Sequence, residues 1–417
     1  MIRSRPIFAL GGTFALNAVF WGLSLTLAPG PWPPLRVAAE FLSTSAVLIM
    51  STNLLLVTRA RPFEDLFGGL DKVFTSHRLN GLTAVTLLGV HFLAMPKSVG
   101  WVPSKLVGYP TLAFLVVAVL VAIAPRAPWR KLVPLRYQDW KLAHRFQGVL
   151  VAAGVTHSLL AHPLVLGLPI MRVWVYGVAS LGLAAYVFRE TVEPGLLERH
   201  RYRVGEPAHV AADVLEIPLE PRERPIEHVP GQFAFVRFEG GPTDEQHPFT
   251  ISMGPSDGRL RFSVKSSGDY TRALQEHLAA GSLARIEGPY GRFDYRRGGP
   301  RQLWLAGGIG ITPFLAFLPA LEADRDVRLV WTVHSPADAI YLDEIGRALV
   351  SRPRAVFTLH ATETDGRLAL ADLNMEWQER LSVYICGPVP MRDAFVEQLL
   401  ELRVPRSRIH YEEFSLR

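Results

Sequence analysis

The sequence predicts a chain of three parts: a bundle of six membrane-spanning helices over residues 1–194, a small β-barrel over 195–299 and an α/β nucleotide-binding domain over 300–417. Three observations carry this. Six apolar runs of about 20 residues are confined to the first half, short alternating runs follow, and from Gln302 an apolar strand, a Gly-rich turn and a helical stretch alternate. Only 20% of the 417 residues are charged while 49% are hydrophobic, against about 25% charged in an ordinary soluble domain.

The apolar runs are Ile7–Leu27, Ala38–Val57, Val73–Ala94, Val107–Ala124, Leu142–Ala161 and Ile170–Phe188. Each is close to the ~20 residues that cross a ~30 Å hydrocarbon core. One set of ends carries Arg3 and Arg5, Arg59, Arg61 and Lys72, then Arg126, Arg130, Lys131, Arg136 and Lys141; the opposite loops hold Arg36, Lys97 and Lys105. Basic residues stay on the cytoplasmic side, so an integral protein of the cell (inner) membrane is expected, with both termini in the cytoplasm. The first run also fits a signal peptide, but five further spans with the same charge bias favour a retained helix.

In the second half, His209–Pro218, Gln232–Glu239, Leu260–Lys265 and Ser282–Glu287 read as barrel strands. Strands at Leu303–Ala306, Arg328–Val333, Ala355–His360 and Ser382–Ile385 alternate with helices near Pro313–Glu322, Ile340–Val350 and Met391–Leu402, the rhythm of a parallel sheet. Lys+Arg 44 against Asp+Glu 38 is a mild, dispersed +6, which argues against a nucleic-acid partner. The single cysteine, Cys386, excludes a disulfide framework, a CxxC pair, a CxxCH haem attachment and a cysteine-held iron–sulfur cluster.

Ionisable residues inside a bilayer are functional candidates. The third span carries His77 and His91, and the fifth His144 and His157, 14 and 13 residues apart. At 1.5 Å per residue each pair is separated by ~20 Å, which suits two stacked haems, one near each membrane face. The spans also repeat: His77-Arg78-x-x-Gly81 matches His144-Arg145-x-x-Gly148. Each glycine lies one turn beyond its histidine, where a flat macrocycle needs room, and Arg78 and Arg145 are candidates for pairing with haem propionates. Fourteen residues return His91 to within about 40° of His77, whereas thirteen leave His157 about 140° from His144 on an ideal helix. His162 is in phase but ~27 Å away, so depth and the repeat favour His157 as the ligand. With both axial positions taken by histidine, the iron keeps no open site and acts in electron transfer.

The segment His247-Pro248-Phe249-Thr250-Ile251-Ser252, with Pro230-Gly231-Gln232-Phe233 upstream, resembles the flavin segment of the NADPH oxidase and ferric reductase superfamily. That resemblance extends over nearly the whole chain. It implies a six-helix dihaem domain joined to a ferredoxin-reductase-like FAD barrel and an NAD(P)H domain. His247, Pro248, Phe249 and Thr250 would then meet FAD. The run Lys265, Ser266, Ser267, Gly268, Asp269, Tyr270, Thr271 resembles the pyrophosphate segment, and a lysine with hydroxyls and amides at a helix start is a sound anion site. Gly307-Gly308-Ile309-Gly310-Ile311-Thr312-Pro313 follows a strand and opens a helix; it falls short of a full GxGxxG but matches the family's nicotinamide-nucleotide loop. Cys386-Gly387-Pro388 matches the segment beside the nicotinamide, giving Cys386 a placing role. Phe414, in the ending Tyr411-Glu412-Glu413-Phe414-Ser415-Leu416-Arg417, is the candidate aromatic over the flavin.

Two departures bear on specificity. Where NADPH-preferring members carry an arginine after the second strand, this chain has His334-Ser335, so NADPH and NADH both stay open. Where oxygen-reducing eukaryotic members place a histidine, one turn beyond the outer span-three ligand, this chain has Met95. The expected activity is transfer of electrons from NAD(P)H through FAD and two b-type haems to O2, giving superoxide; the alternative acceptor is a ferric chelate. No EF-hand pattern accompanies the motifs, so a constitutively active form with no obligate protein partner is expected.

Overall fold

The computed structural model describes residues 5–95, 102–123, 137–161, 163–192, 195, 200–373, 375 and 380–411. The chain divides into two compact units, Ile2–Pro194 and Gly195–Arg417.

The first unit is helical: α1 (Arg5–Leu27), α2 (Pro34–Leu56), α3 (Arg61–Phe67), α4 (Leu70–Ala94), α5 (Pro103–Ile123), α6 (Tyr137–Arg145), α7 (Gln147–Leu160), α8 (Leu164–Gly167) and α9 (Pro169–Thr191). Among the described residues four helices are long and apolar enough to cross a bilayer: α1 from Ala9, α2, α5 and α9. The third predicted span, α4, has 25 residues but carries Asp71, Lys72 and Arg78. The fifth is not one helix. It breaks at Phe146, which sits between α6 and α7 with ψ −7°, flatter than an α-helix. Prolines open α2, α3 and α9, where the missing N–H is no loss.

Polar side chains tie these helices together. Asn17 on α1 donates to Thr44 and Ser45 on α2, and Trp21 donates to Thr44. Asn53 on α2 donates to the His77 carbonyl and accepts from Asn80 on α4. Buried Glu40 accepts from Arg36 and from the amides of Leu164 and Val165 at the start of α8, so a carboxylate meets a helix N-terminus. A Cβ on Gly182 of α9 would lie 2.6 Å from the Ser51 carbonyl of α2, so glycine sets this close crossing.

The second unit holds two sheets. The first contains β1 (His200–Val204), β2 (Ala208–Ala211), β3 (Val214–Pro221), β4 (Phe233–Phe238), β5 (Gln246–Thr250), β6 (Leu260–Lys265) and β7 (Leu283–Tyr290), in the order β2-β3-β1-β7-β4-β5 with β6 on β3. Helix α10 (Asp269–His277) follows β6. The run His209–Pro218, expected as one strand, is turned between β2 and β3, and β1 lies outside the four runs expected as barrel strands. Tyr202 and Val204 of β1 point into the core while Arg201 and Arg203 stay exposed, so an alternating strand had been hidden by its charge.

The second sheet is parallel. Its elements are β8 (Arg301–Gly307), α11 (Thr312–Ala320), β9 (Asp326–Val333), α12 (Leu342–Leu349), β10 (Ala355–Ala361), α13 (Thr362–Asp365), β11 (Ser382–Cys386), α14 (Val389–Glu401) and β12 (Ile409–Tyr411), with order β10-β9-β8-β11-β12. Side chains alternate between two covered faces. Trp304, Ala306, Leu329, Trp331 and Tyr384 pack with Phe314 and Phe317 of α11; Leu303, Leu305, Val330, Val383 and Ile385 pack with Phe395 and Leu399 of α14. A parallel sheet buried on both faces needs such continuous apolar runs.

The two sheets of this unit are clamped by polar groups. Arg261 of β6 reaches Glu344 of α12 with both Nη atoms, at 2.9 and 2.7 Å, and Tyr341 donates to Ser263 at 2.7 Å. Replacing Glu344 by alanine should cost about 2 kcal/mol, the order expected for a charge-assisted pair, read as a lower denaturant midpoint. In the first unit, Gly182→Leu should lower the melting temperature in detergent, because overpacking a close crossing costs about 1–3 kcal/mol; an unchanged midpoint would remove the role given to this contact.

Candidate functional site

Two constellations stand out, one in each unit. In the helical unit the structure brings His77 and His144 together, with Nε2 atoms 3.4 Å apart and rings edge to face. Trp140, one turn before His144, stacks on its ring at 5.4 Å. Nδ1 of both histidines, with Ser76 Oγ and Asn80 Oδ1, is buried without a hydrogen-bond partner among the described residues. A buried polar atom left unmatched costs about 1–3 kcal/mol.

The other two histidines are each held by a backbone carbonyl. His91 Nδ1 meets the Ala39 carbonyl of α2 at 2.9 Å, and His157 Nδ1 meets the Ser104 carbonyl of α5 at 2.8 Å. A carbonyl only accepts, so Nδ1 carries the proton in both contacts and Nε2 keeps its lone pair. That is the arrangement second-shell partners impose on metal-ligating histidines. His157 reaches its carbonyl because position 108 is glycine: a Cβ there would lie 2.4 Å from its Nδ1. The break at Phe146 falls between His144 and His157, so the ideal-helix phase that placed them about 140° apart does not apply.

Other expectations change. The face of Gly148 is filled by the Tyr186 ring, which a Cβ would meet at 2.5 Å, so this glycine makes room for a side chain of α9. Gly81 faces near-open space, with Asn53 Nδ2 3.9 Å from the position of a Cβ. Arg145 is paired with Glu190, and Arg78 donates to Thr75 at 3.3 Å. His162 lies outside the described residues. No cluster of three or more His, Cys, Asp or Glu suited to a bare metal ion occurs among the described residues.

In the second unit, His247, Pro248, Phe249 and Thr250 form β5, the strand ending the β2-to-β5 order, paired only with β4. The first three are half-buried and Thr250 is buried. His247 stacks on Tyr270 at 3.7 Å and its Nε2 lies 3.2 Å from Glu245. Lys265 pairs with Asp213 at 3.0 Å, and the Ser266 amide donates to the Asp213 carbonyl. Thr271 Oγ1 accepts from the amides of Ser267 and Gly268. Those two donors, expected to face a pyrophosphate, are thus satisfied by the helix start itself.

A cleft of about 530 Å³ opens beside the ends of β8, β9 and β11. Into it come Gly307, Gly308, His334 and Pro388, together with Lys265 from the barrel. The ends of parallel strands, where the connections diverge, are where nucleotides bind in such sheets. Gly308 has φ +52°, the left-handed region that favours glycine. Gly310 has a different reason: a Cβ would lie 2.3 Å from the Cys386 carbonyl, so it permits the β8 turn to touch the end of β11. Cys386 is buried at that strand end and Gly387 follows it against Gly307. Thr312 opens α11, its Oγ1 donating to the Ile309 carbonyl, and Pro313 follows in the first turn. Phe414 lies outside the described residues. Sequence reading missed Trp331, Met391 and Arg367, which also line the cleft; nothing in their local sequence marks them, because one sits in β9, one in the first turn of α14 and one in the chain after β10.

Comparison with known proteins agrees with this second unit. Residues 206–294 match the FAD-binding domain family and residues 304–397 the oxidoreductase NAD-binding domain family. The reductase component of propane 2-monooxygenase from Rhodococcus jostii is 29% identical over 241 residues, 52% of this chain and 63% of that protein. Flavohemoprotein A of Dictyostelium discoideum is 28% identical over 271 residues, 58% of this chain and 68% of that protein. The chain spans 59% of the carnitine monooxygenase reductase subunit of Escherichia coli. A flavohemoglobin crystal structure from Malassezia yamatoensis aligns with 95% of this chain and 99% of its own at a TM-score of 0.52 and 19% identity, a likeness of fold alone. The second half of the chain is thus an FAD-binding barrel followed by an oxidoreductase NAD-binding domain, the pair found in ferredoxin-reductase-like flavoproteins.

Proposed function

We propose that this NAD(P)H- and FAD-dependent oxidoreductase is a transmembrane flavocytochrome of the NADPH oxidase and ferric reductase type. Electrons from cytoplasmic NAD(P)H would reach two b-type haems in the helical unit and leave to O2 on the far side, giving superoxide. The observation that carries the reading is the placement of the four histidines. His77 and His144 face each other through Nε2, while His91 and His157 are each held through Nδ1 by a carbonyl of a neighbouring helix.

The residues fit the group. His77 and His144, which face each other through Nε2, would supply the two protein ligands of one such group. Iron held in a macrocycle asks only two ligands of the protein, which suits histidine pairs in the absence of a larger cluster among the described residues. When bound, FAD accepts hydride and haem iron relays electrons singly. The chain supplies placement. Asn53 fixes the α4 turn at His77, Trp140 orients the His144 ring, and the carbonyls of Ala39 and Ser104 set the protons of the other two. The cleft beside β8, β9 and β11 holds the nucleotide, with Pro388 and buried Cys386 at the end that places the nicotinamide.

Purified protein should show a Soret band with split low-spin α and β bands, and NADPH with FAD should reduce it. Superoxide dismutase should abolish the accompanying cytochrome c reduction; a dismutase-insensitive signal points instead to a ferric chelate or other direct acceptor. His91→Leu and His157→Leu should each remove about half of the bound haem, two pairs holding one haem each. Gly108→Leu should do the same through the displaced His157 ring while FAD reduction by NADPH stays intact. A protein without a Soret band, or a His157→Leu variant that reduces an impermeant acceptor at full rate, sinks the trans-membrane path.

A further inference from the structure

The sequence places a histidine where an arginine would meet a 2′-phosphate, and so leaves the nicotinamide nucleotide undecided. The tertiary structure supplies an arginine from elsewhere. β9 and β10 are parallel neighbours in register from Val327–Ala355 to Val333–Ala361, so their ends emerge side by side. The chain after β9 carries His334, and the chain after β10 carries Arg367. The two connections are joined, because the Glu363 amide donates to the His334 carbonyl at 2.9 Å.

Arg367 sits on a braced turn. The Ala361 amide donates to Asp365 at 3.2 Å, and His360 Nε2 meets the Gly366 carbonyl at 2.9 Å. Gly366 has φ +72°, a left-handed conformation open to glycine, and so redirects the chain immediately before Arg367. The side chain is exposed, lines the same cleft as His334 and makes no hydrogen bond or ion pair with another described residue.

The other charges of the cleft are engaged. Lys265 is paired with Asp213, and Asp338 accepts from the Ser335 amide at 2.8 Å and from the Ser335 hydroxyl at 3.3 Å. The Ser335 amide holds the Asp338 carboxyl below its ordinary range, so Asp338 is ionised and bound within its own turn. Among the described residues of the cleft the Arg367 guanidinium is left without an ion pair, and its planar fork suits a phosphate.

We propose that Arg367, with His334 beside it, binds the 2′-phosphate of NADPH and makes this chain NADPH-selective. This rests on the cleft being the nucleotide site. An arginine acting on the phosphate from β10 replaces the one absent after β9.

The test is flavin reduction by NADPH and by NADH in the full-length protein, with inhibition by 2′,5′-ADP and by 5′-AMP alongside. The wild type should favour NADPH, and 2′,5′-ADP should be the stronger inhibitor. Arg367→Ala should lower kcat/KM for NADPH on the order of 10- to 100-fold, through KM, and leave NADH unchanged; Arg367→Lys should restore part of the loss. A wild type that prefers NADH, or an Arg367→Ala variant that weakens both nucleotides equally, overturns the assignment. Ala394→Glu, an exposed change in the same cleft, separates the two levels. It should weaken NADPH and NADH alike, and if it affects neither, the cleft itself is not the nucleotide site and the assignment falls with it.

Discussion

The helical unit depends on one constraint: polar groups inside an apolar bundle must find partners within the protein. Each buried group left unmatched is costly. Asn17, Asn53 and Asn80 meet it by bonding across helices, and Glu40 meets it by receiving Arg36 and two amides of α8. His91 and His157 meet it through carbonyls of neighbouring helices, and the same contacts choose their tautomers. His77 and His144 leave both Nδ1 atoms unmatched among the described residues, as are Asn17 Oδ1, Ser24 Oγ, Ser76 Oγ, Asn80 Oδ1 and Trp174 Nε1 in the same unit.

The second unit solves a different problem. Its parallel sheet is covered on both faces by aromatic and aliphatic side chains, so the strands are rigid and function moves to their ends. Turns after β8, β9, β10 and β11 then contribute backbone and side chains to one cleft. The Arg261–Glu344 pair and the Tyr341–Ser263 hydrogen bond hold the barrel against this sheet, and Tyr341 also lines the cleft. Clamp and cleft therefore share a residue, which couples the shape of the cleft to the packing of the two sheets.

Much of this was legible in the residues. Apolar length marked most of the helices, and the rhythm of strand, Gly-rich turn and helix marked the parallel sheet, whereas HPFT was read as a flavin segment and proved to lie on strand β5. The misreadings have local causes. Strand β1 alternates Arg with Tyr and Val, and its charge disguised a half-buried strand. Gly148 was read as making room for a macrocycle, yet its face is filled by the Tyr186 ring. Arg145 was read for a propionate and is paired with Glu190, 45 residues away in sequence.

By itself the sequence determined the apolar runs of the first half, the strand–turn–helix rhythm, the histidine repeat and the segments that fall within the FAD- and NAD-binding domain matches, because each is written in local spacing that backbone geometry reads directly. Tertiary structure alone decided which carbonyl holds each outer histidine, why position 108 is glycine and that the helix breaks before His157. It also decided that Arg367 shares a cleft with His334. These depend on groups tens of residues apart being brought within 3 Å, or into one cleft, by packing and strand register, and no local pattern records such a meeting.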